Sequence, residues 1–249
     1  MAQNNLSDIY AQESGNVLID SVIWEGLPLW TEESPSPGLT VTYGFMTTPL
    51  PADSADTIVG FAPLSATQEA AVRLVYATSE PLTGLNFVET ADVASADIAF
   101  GTADIDAPSV MAQTSTTENI STTAGGTTAL DRQDYVYLDN NEWGETMADP
   151  LPGSLGYETI LHEIGHTLGL DDTAYTQTLP QLLDNTDYTV MSYNETDTYK
   201  SMFGVLDIEA LQYLYADSGT IRSFGVIPVL AWPNTVSGTP TVGAPLAAG

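Results

Sequence analysis

Residues 162–172 have the sequence HEIGHTLGLDD, and this stretch decides the predicted fold and chemistry of the chain. Residues four apart lie on one face of an α-helix, so His162 and His166 can present two imidazoles to a single metal ion. Glu163 projects beside them. A catalytic zinc ion is held by three protein ligands and keeps a fourth position for water. The motif therefore predicts a zinc site that needs one more ligand.

The third ligand must come from the chain that follows the helix. There are only two histidines in the sequence, and both belong to the motif. Gly169 can adopt the left-handed conformation that turns the chain back, and this would bring Asp172 toward the metal. We therefore predict Asp172 as the third ligand, with Asp171 as the alternative. The alternative interpretation is that the two histidines lie on the surface of a helix and bind no metal.

The chemistry that fits such a site is hydrolysis of a peptide bond. Zinc would polarise the scissile carbonyl and lower the pKa of a bound water. Glu163 would take the proton of that water and pass it to the leaving amine. Because Asp172 is anionic, it lowers the net positive charge at the metal relative to three neutral imidazoles. We expect a weaker Lewis acid and activity that peaks at higher pH.

The rest of the chain predicts an α+β domain. Its 249 residues, 43% of them hydrophobic, are enough to bury one sizeable core. A helix that contains the motif should begin after Ser154 and end at Gly169. Alternating or short apolar runs predict strands at residues 39–46, 85–90, 98–100 and 135–138.

Two further helices are predicted, one on each side of the motif. Ser65 and Gln68 form a capping box, and the helix that follows should end before Pro81. Its predicted buried face carries Ala71, Leu74, Val75 and Thr78. The last helix should begin with Asp207 as its N-cap and close near Gly219. Its predicted inward residues are Ile208, Leu211, Leu214 and Tyr215.

The composition excludes several classes of partner. There are 33 acidic residues against 4 basic ones, and a net charge of −29 would repel nucleic acid and anionic membranes. No apolar run is long enough for membrane insertion, and we expect a monomer. Cysteine is absent, so disulfides and thiolate metal sites are excluded. The many carboxylates make calcium a second candidate ion, for example at residues 139–142, although no EF-hand spacing occurs there.

A second motif, YTVMSY at residues 188–193, follows the first. Together the two motifs resemble the metzincin zinc proteases, and closely the serralysin branch. The resemblance spans about residues 17–216 and includes the stretches 39–45, 96–101, 153–161 and 207–215.

This resemblance implies both a fold and a function. The fold would be a twisted, mainly parallel sheet with an antiparallel edge strand and three main helices. The function would be that of a secreted zinc endopeptidase acting on proteins or peptides. Met191 would form a hydrophobic floor beneath the ligands without binding zinc. Tyr193 would approach the zinc and stabilise the oxyanion when substrate binds.

Two departures separate this chain from the serralysins. Serralysins supply His where this chain has Asp172, although the snapalysin family of metzincins uses Asp there. Serralysins also continue into a calcium-binding β-roll with a secretion signal, whereas this chain leaves their pattern after Ala216. We expect an N-terminal leader or pro-segment at residues 1–20, a catalytic domain at 21–218 and a Pro/Thr/Gly-rich tail at 219–249. No N-terminal secretory signal is visible, so either the signal was removed or export uses another route. The resemblance to serralysins makes extracellular export, by a signal-peptide-independent route, the favoured hypothesis.

Three further hypotheses concern partners and regulation. The domain could be a non-catalytic or self-processing module of a larger secreted protein, although the intact Glu163 argues against this. The leader could supply a temporary zinc ligand from Asp8, Glu13 or Asp20. Substrate should bind as an extended strand at a sheet edge, for which residues 125–130 are the candidate.

Overall fold

A five-stranded sheet forms one layer of the domain. The computed structural model describes residues 10–30, 39–50, 58–122, 128–174 and 179–215. Neighbouring strands run parallel except β4, which lies antiparallel to β5 at one edge. This confirms the predicted mainly parallel sheet with an antiparallel edge strand. In the spatial order β2-β1-β3-β5-β4, the strands are β1 (Thr40–Phe45), β2 (Asn86–Glu89), β3 (Ile98–Ala103), β4 (Ala112–Thr122) and β5 (Thr128–Asp139).

Three long helices cover the sheet, as predicted for this fold. The second helix packs against the fourth and the fifth, and the fourth also lies against β4 and β5. Their buried side chains share one hydrophobic core with the sheet. Within the described residues, no helix is both long and apolar enough to cross a bilayer. The helices are α1 (Val17–Asp20), α2 (Ala66–Thr83), α3 (Gly144–Met147), α4 (Leu155–Thr167) and α5 (Val205–Tyr215).

The helix α2 begins as predicted but ends later. Ser65 Oγ accepts the N–H of Gln68, and Gln68 Oε1 accepts the N–H of Ser65, at 3.3 and 2.7 Å. The prediction of an end before Pro81 is wrong, because this proline lies in the last turn, where it removes a single backbone hydrogen bond. Leu74 is 42% exposed and not part of the buried face. That face carries Gln68, Ala71, Val72, Val75, Tyr76, Ser79 and Thr83.

The sheet edge differs most from the prediction. The strand β4 is not predicted, because its sequence AQTSTTENIST is mostly polar and has no hydrophobic alternation. The strand β5 begins seven residues earlier than predicted, so residues 128–130 of the candidate substrate edge belong to a strand paired with β4. Residues 125–127 lie outside the described residues. The outer edge beside the predicted site is therefore β4.

The start of α5 also differs from the prediction. The helix begins at Val205, so Asp207 lies in its first turn and is not the N-cap. The Asp207 carboxylate still accepts the N–H of Gly204 at 2.8 Å. It thus satisfies a backbone donor at the helix start, as a cap does. The predicted end near Gly219 lies outside the described residues.

The N-terminal segment, here residues 10–30, packs on the domain. Ala11 and Leu18 are buried in the main core, and α1 contacts α5. Residues 10–20 of the predicted leader therefore contribute to the same core as the sheet and helices. Residues 1–9 and the predicted tail at 219–249 lie outside the described residues.

A buried cation connects this segment to the motif helix. Arg132 of β5 pairs with Asp134 at 2.5 Å, and both side chains are almost fully buried. The Arg132 guanidinium also donates to the carbonyl of Pro28 and lies 4.1 Å from the centre of the Trp30 ring. Arg132 and Trp30 both donate to the carbonyl of Thr167 at the end of α4. These bonds fix the N-terminal segment against β5 and α4.

Candidate active site

A single turn at the end of α4 brings the chain back toward this helix. Ser154 caps the start of α4, as predicted. Gly169 has a φ of +96°, which residues with a side chain rarely adopt. The N–H of Leu170 then donates to the carbonyl of Gly165 at 3.0 Å. This turn brings Asp172 to the face of α4 that carries the two histidines.

Three side-chain atoms meet at this face. His162 Nε2 lies 3.1 Å from His166 Nε2 and 3.1 Å from Asp172 Oδ1. The distance from His166 Nε2 to Asp172 Oδ1 is 3.6 Å. A tetrahedral zinc ion with bonds of about 2.0–2.2 Å would hold its ligand atoms roughly 3.3–3.6 Å apart. The observed separations are close to that spacing.

The proton positions also fit a bound cation. His162 Nδ1 donates to the carbonyl of Val190 at 2.8 Å, and His166 Nδ1 donates to that of Leu170 at 3.0 Å. In the neutral tautomers both Nε2 atoms therefore point bare lone pairs at each other. Asp172 Oδ1 is buried and accepts no hydrogen bond from any described residue. In these neutral forms, three acceptors at this distance repel one another unless a proton or a metal cation lies between them.

The electrostatics of the group point the same way. Burial opposes a charge on His162, yet Asp172 and Glu163 raise its pKa to about 9. Burial would likewise raise the pKa of Asp172, but His162, His166 and a tyrosine hydroxyl lower it below its ordinary value. The surroundings therefore favour positive charge at this point.

The structure separates the two candidate aspartates. Asp171 Oδ1 accepts the N–H of Asp172 at 2.9 Å. Among the described residues, the group whose ligand atoms converge here consists of His162, His166 and Asp172. Burial raises the pKa of Asp171, against the lowering effect of the Asp172 N–H and of His166. Its geometry is that of a residue that orients Asp172.

Glu163 lies beside the ligands and is held by a residue that sequence reasoning missed. Its side chain is buried at 6% exposure. Glu163 Oε2 accepts the hydroxyl of Thr114 at 2.6 Å. Thr114 belongs to β4, 49 positions earlier in the chain, and no local sequence pattern predicts this contact. The hydrogen bond fixes the carboxylate between α4 and the sheet edge.

Met191 and Tyr193 both lie close to the predicted ligands. The Met191 side chain is fully buried, and a Cβ added at Gly165 would come within 2.8 Å of its sulfur. It therefore packs beneath the turn of α4 that carries the ligands. The Tyr193 hydroxyl donates to Asp172 Oδ2 at 2.7 Å, while the residue is 63% exposed. The phenol thus touches the predicted ligand and has open space around its ring.

Asp207 anchors the turn that contains Met191. Its carboxylate accepts the hydroxyl of Thr189 at 2.5 Å and the N–H of Val190 at 2.9 Å. Val190 in turn supplies the carbonyl that orients His162. Burial raises the pKa of Asp207 to about 6, against the lowering effect of these donors. The sequence gives this residue a capping role and no sign of the link to the ligands.

The N-terminal segment contacts the other side of the site. Residues 22–24 pair with residues 169–171 through two backbone hydrogen bonds of 2.9 and 3.1 Å. The Trp24 ring meets the His166 ring edge-on, with centroids 6.0 Å apart. Sequence reasoning gives Trp24 only a place in an apolar stripe. The structure makes it a wall of the cleft beside Asp171 and Asp172.

The remaining predicted cation ligands belong to the N-terminal segment and to the calcium candidate at residues 139–142. Asp20 accepts three hydrogen bonds from Ser14 and Gly15, so its carboxylate is occupied within the N-terminal segment. Asp8, another candidate of the leader hypothesis, lies outside the described residues. Asp104, Asp139 and Glu142 come together at the surface, but Asp139 uses both oxygens for backbone N–H groups. Calcium binding there stays a prediction.

Comparison with known proteins identifies similar chains. No protein-family model matches this sequence. A serralysin of Photorhabdus laumondii is 29% identical over 182 residues, which is 66% of this chain and 36% of the relative. A serralysin of Proteus mirabilis is 38% identical over 107 residues, or 36% of this chain and 20% of the relative. The chain thus spans about a third of the length of the first of these curated relatives.

Proposed function

Since this chain contains a serralysin-like domain of the metzincin zinc metalloprotease family, we propose that it hydrolyses internal peptide bonds of proteins. The observation that carries the proposal is the meeting of His162 Nε2, His166 Nε2 and Asp172 Oδ1 within 3.1–3.6 Å of one another. We propose these three residues as the zinc ligands. The location of the buried Glu163 carboxylate beside them supports its role as the catalytic base.

The residues around the ligands have separate tasks in this proposal. Zinc, when bound, supplies a Lewis acid that polarises a peptide carbonyl and lowers the pKa of water. Glu163 accepts a proton from the attacking water and later donates it to the leaving amine. Thr114 keeps the Glu163 carboxylate oriented for both transfers. Tyr193 moves its hydroxyl from Asp172 toward the oxyanion of the substrate.

The substrate chain has a natural path across the site. The strand β4 is the sheet edge next to α4, and its outer backbone groups can pair with an extended peptide. Hollows on both sides of Glu163 extend along this edge, so residues before and after the scissile bond can be held. We further propose that the enzyme acts outside the cell, where its acidic surface suits a soluble exported protein.

Zinc content and proteolysis test the proposal together. We expect about one zinc ion per chain and cleavage of an unfolded protein substrate, and we expect a chelator to abolish cleavage. Replacing Glu163→Ala should lower the rate by ~10²–10⁴-fold and leave zinc in place. Replacing Asp172→Ala should remove zinc, whereas the matched control Asp171→Asn should retain it. Full turnover in the Glu163 variant, or no zinc in the unaltered protein, would refute the proposal.

The same measurements address a non-catalytic module. Such a module would bind the unfolded substrate without cleaving it, whatever the metal content. A self-processing module would cut its own chain and leave an added substrate intact. The buried, hydrogen-bonded Glu163 supports the enzyme, because an inactive domain has no need of a base held in this position.

A further inference from the structure

A pocket of about 340 Å³ opens beside His162 and Glu163 and runs about two helical turns along α4. Pockets of this size are typical of sites that hold small molecules or side chains. Its walls are mainly apolar, and two further carboxylates line it in addition to Glu163. The apolar wall residues are Met111, Trp143, Leu155 and Val190, and the carboxylates are Glu158 and Glu195.

Glu158 is buried in this pocket, and among the described residues no lysine or arginine side chain pairs with it. It is 6% exposed, and its hydrogen-bond donor among the described residues is the backbone N–H of Lys200. The Lys200 ammonium points elsewhere and pairs with Asp187 at 2.6 Å. Burial raises the pKa of Glu158 against the lowering effect of Lys200, as expected for a carboxylate short of positive charge.

The other two basic residues that the structure describes pair with different carboxylates. Arg73 pairs with Glu69 and Glu89 on the surface, and Arg132 is used by the interior pair with Asp134. Arg222, the fourth basic residue of the sequence, lies outside the described residues. In the part of the chain that the structure describes, no lysine or arginine side chain pairs with Glu158 or Glu195.

We propose that this pocket binds an arginine or lysine side chain of the substrate next to the scissile bond, with Glu158 as the residue that selects it. The aliphatic stem of such a side chain would lie on the apolar walls, and its charged end would reach Glu158. Glu195, exposed at the pocket mouth, adds attraction during entry. This inference rests on the proposed function, because it assigns the substrate of the same site.

Matched peptides test the inference by cleavage. In one peptide series, arginine occupies either the position before or the position after the scissile bond, one position per peptide. In the matched series, citrulline, which is neutral and nearly isosteric, takes its place. With the zinc-loaded protein we expect kcat/KM to favour arginine by about tenfold or more at one of the two positions, equivalent to about 1.4 kcal/mol. Glu158→Gln should abolish this preference, because it removes the charge while glutamine still accepts the Lys200 N–H.

A control variant and a binding measurement separate the possible failures. Glu209→Gln removes one carboxylate of α5 outside the pocket and should keep the preference. Fluorescein-labelled versions of the peptides are also titrated into zinc-loaded Glu163→Gln, where arginine should bind about tenfold more tightly than citrulline. Equal binding of both peptides, or a preference that survives Glu158→Gln, overturns the inference. If no peptide is cleaved but the binding preference holds, the proposed function fails and the pocket assignment stands.

Discussion

The hydrogen bond between Thr114 and Glu163 allows the sharpest test of how the catalytic base is held. Thr114→Val keeps the shape of the side chain and removes the hydroxyl that donates to Glu163 Oε2 at 2.6 Å. A hydrogen bond to a charged group is worth about 1.5–3 kcal/mol. Water cannot easily replace the donor, because Glu163 is only 6% exposed. We therefore expect kcat to fall roughly 10- to 150-fold.

The assay is steady-state cleavage of one peptide by zinc-loaded variants. KM should change little, because Thr114 acts through Glu163. Thr114→Ser restores the hydroxyl and should recover activity to within about threefold of the unaltered protein, a difference below 1 kcal/mol. Thr116→Val is the matched control on the same strand face, since its hydroxyl binds Asp134 and not Glu163. The reasoning is refuted if Thr114→Val, folded and zinc-loaded, keeps its kcat, or if the serine variant is equally impaired.

Three other predictions concern packing, the tyrosine and pH. Gly165→Ala should lower the free energy of unfolding by about 1–3 kcal/mol in a denaturant titration, because the new methyl group would lie 2.8 Å from Met191 Sδ; equal or greater stability would contradict this packing. Tyr193→Phe should retain zinc and lower kcat/KM by ~10–100-fold, since the hydroxyl bonded to Asp172 is lost; loss of zinc instead would make the tyrosine a support of the metal. The preference for arginine over citrulline should fall as the pH drops through the raised pKa of Glu158, so it should fade at a higher pH than for an ordinary glutamate; a preference that is constant down to pH values below the ordinary glutamate pKa would contradict the assignment.

Local signals in the sequence predict the parts of this domain that local physics determines. The capping box at Ser65 and the turn at Gly169 appear at the predicted residues, because each depends on the chemistry of a few neighbouring positions. The helical spacing of His162 and His166 likewise predicts their shared face. The prediction of Asp172 as the third ligand rests on the position of Gly169 and on the absence of a third histidine in the sequence.

Tertiary contacts account for what the sequence does not predict. The polar strand β4 exists because β5 supplies its hydrogen bonds along its whole length, and no apolar alternation marks it. Leu74 is outside the core because the position of α4 and α5, not the helical pattern alone, selects the buried face of α2. Thr114 is 49 positions from Glu163 in the sequence, and Trp24 is more than a hundred positions from His166. Such pairings depend on the complete fold.

The pairing of residues 22–24 with residues 169–171 couples two distant parts of the chain thermodynamically. The same short stretch of backbone precedes the proposed ligand Asp172 and bonds the N-terminal segment. An ion that orders this stretch must therefore also favour docking of the segment, and by reciprocity docking must favour the ion by an equal free energy. In hydrogen exchange, loading with zinc should slow exchange at the amides of Trp24 and Asp171 together. The occupancy of the metal site would then be measurable from the opposite end of the chain.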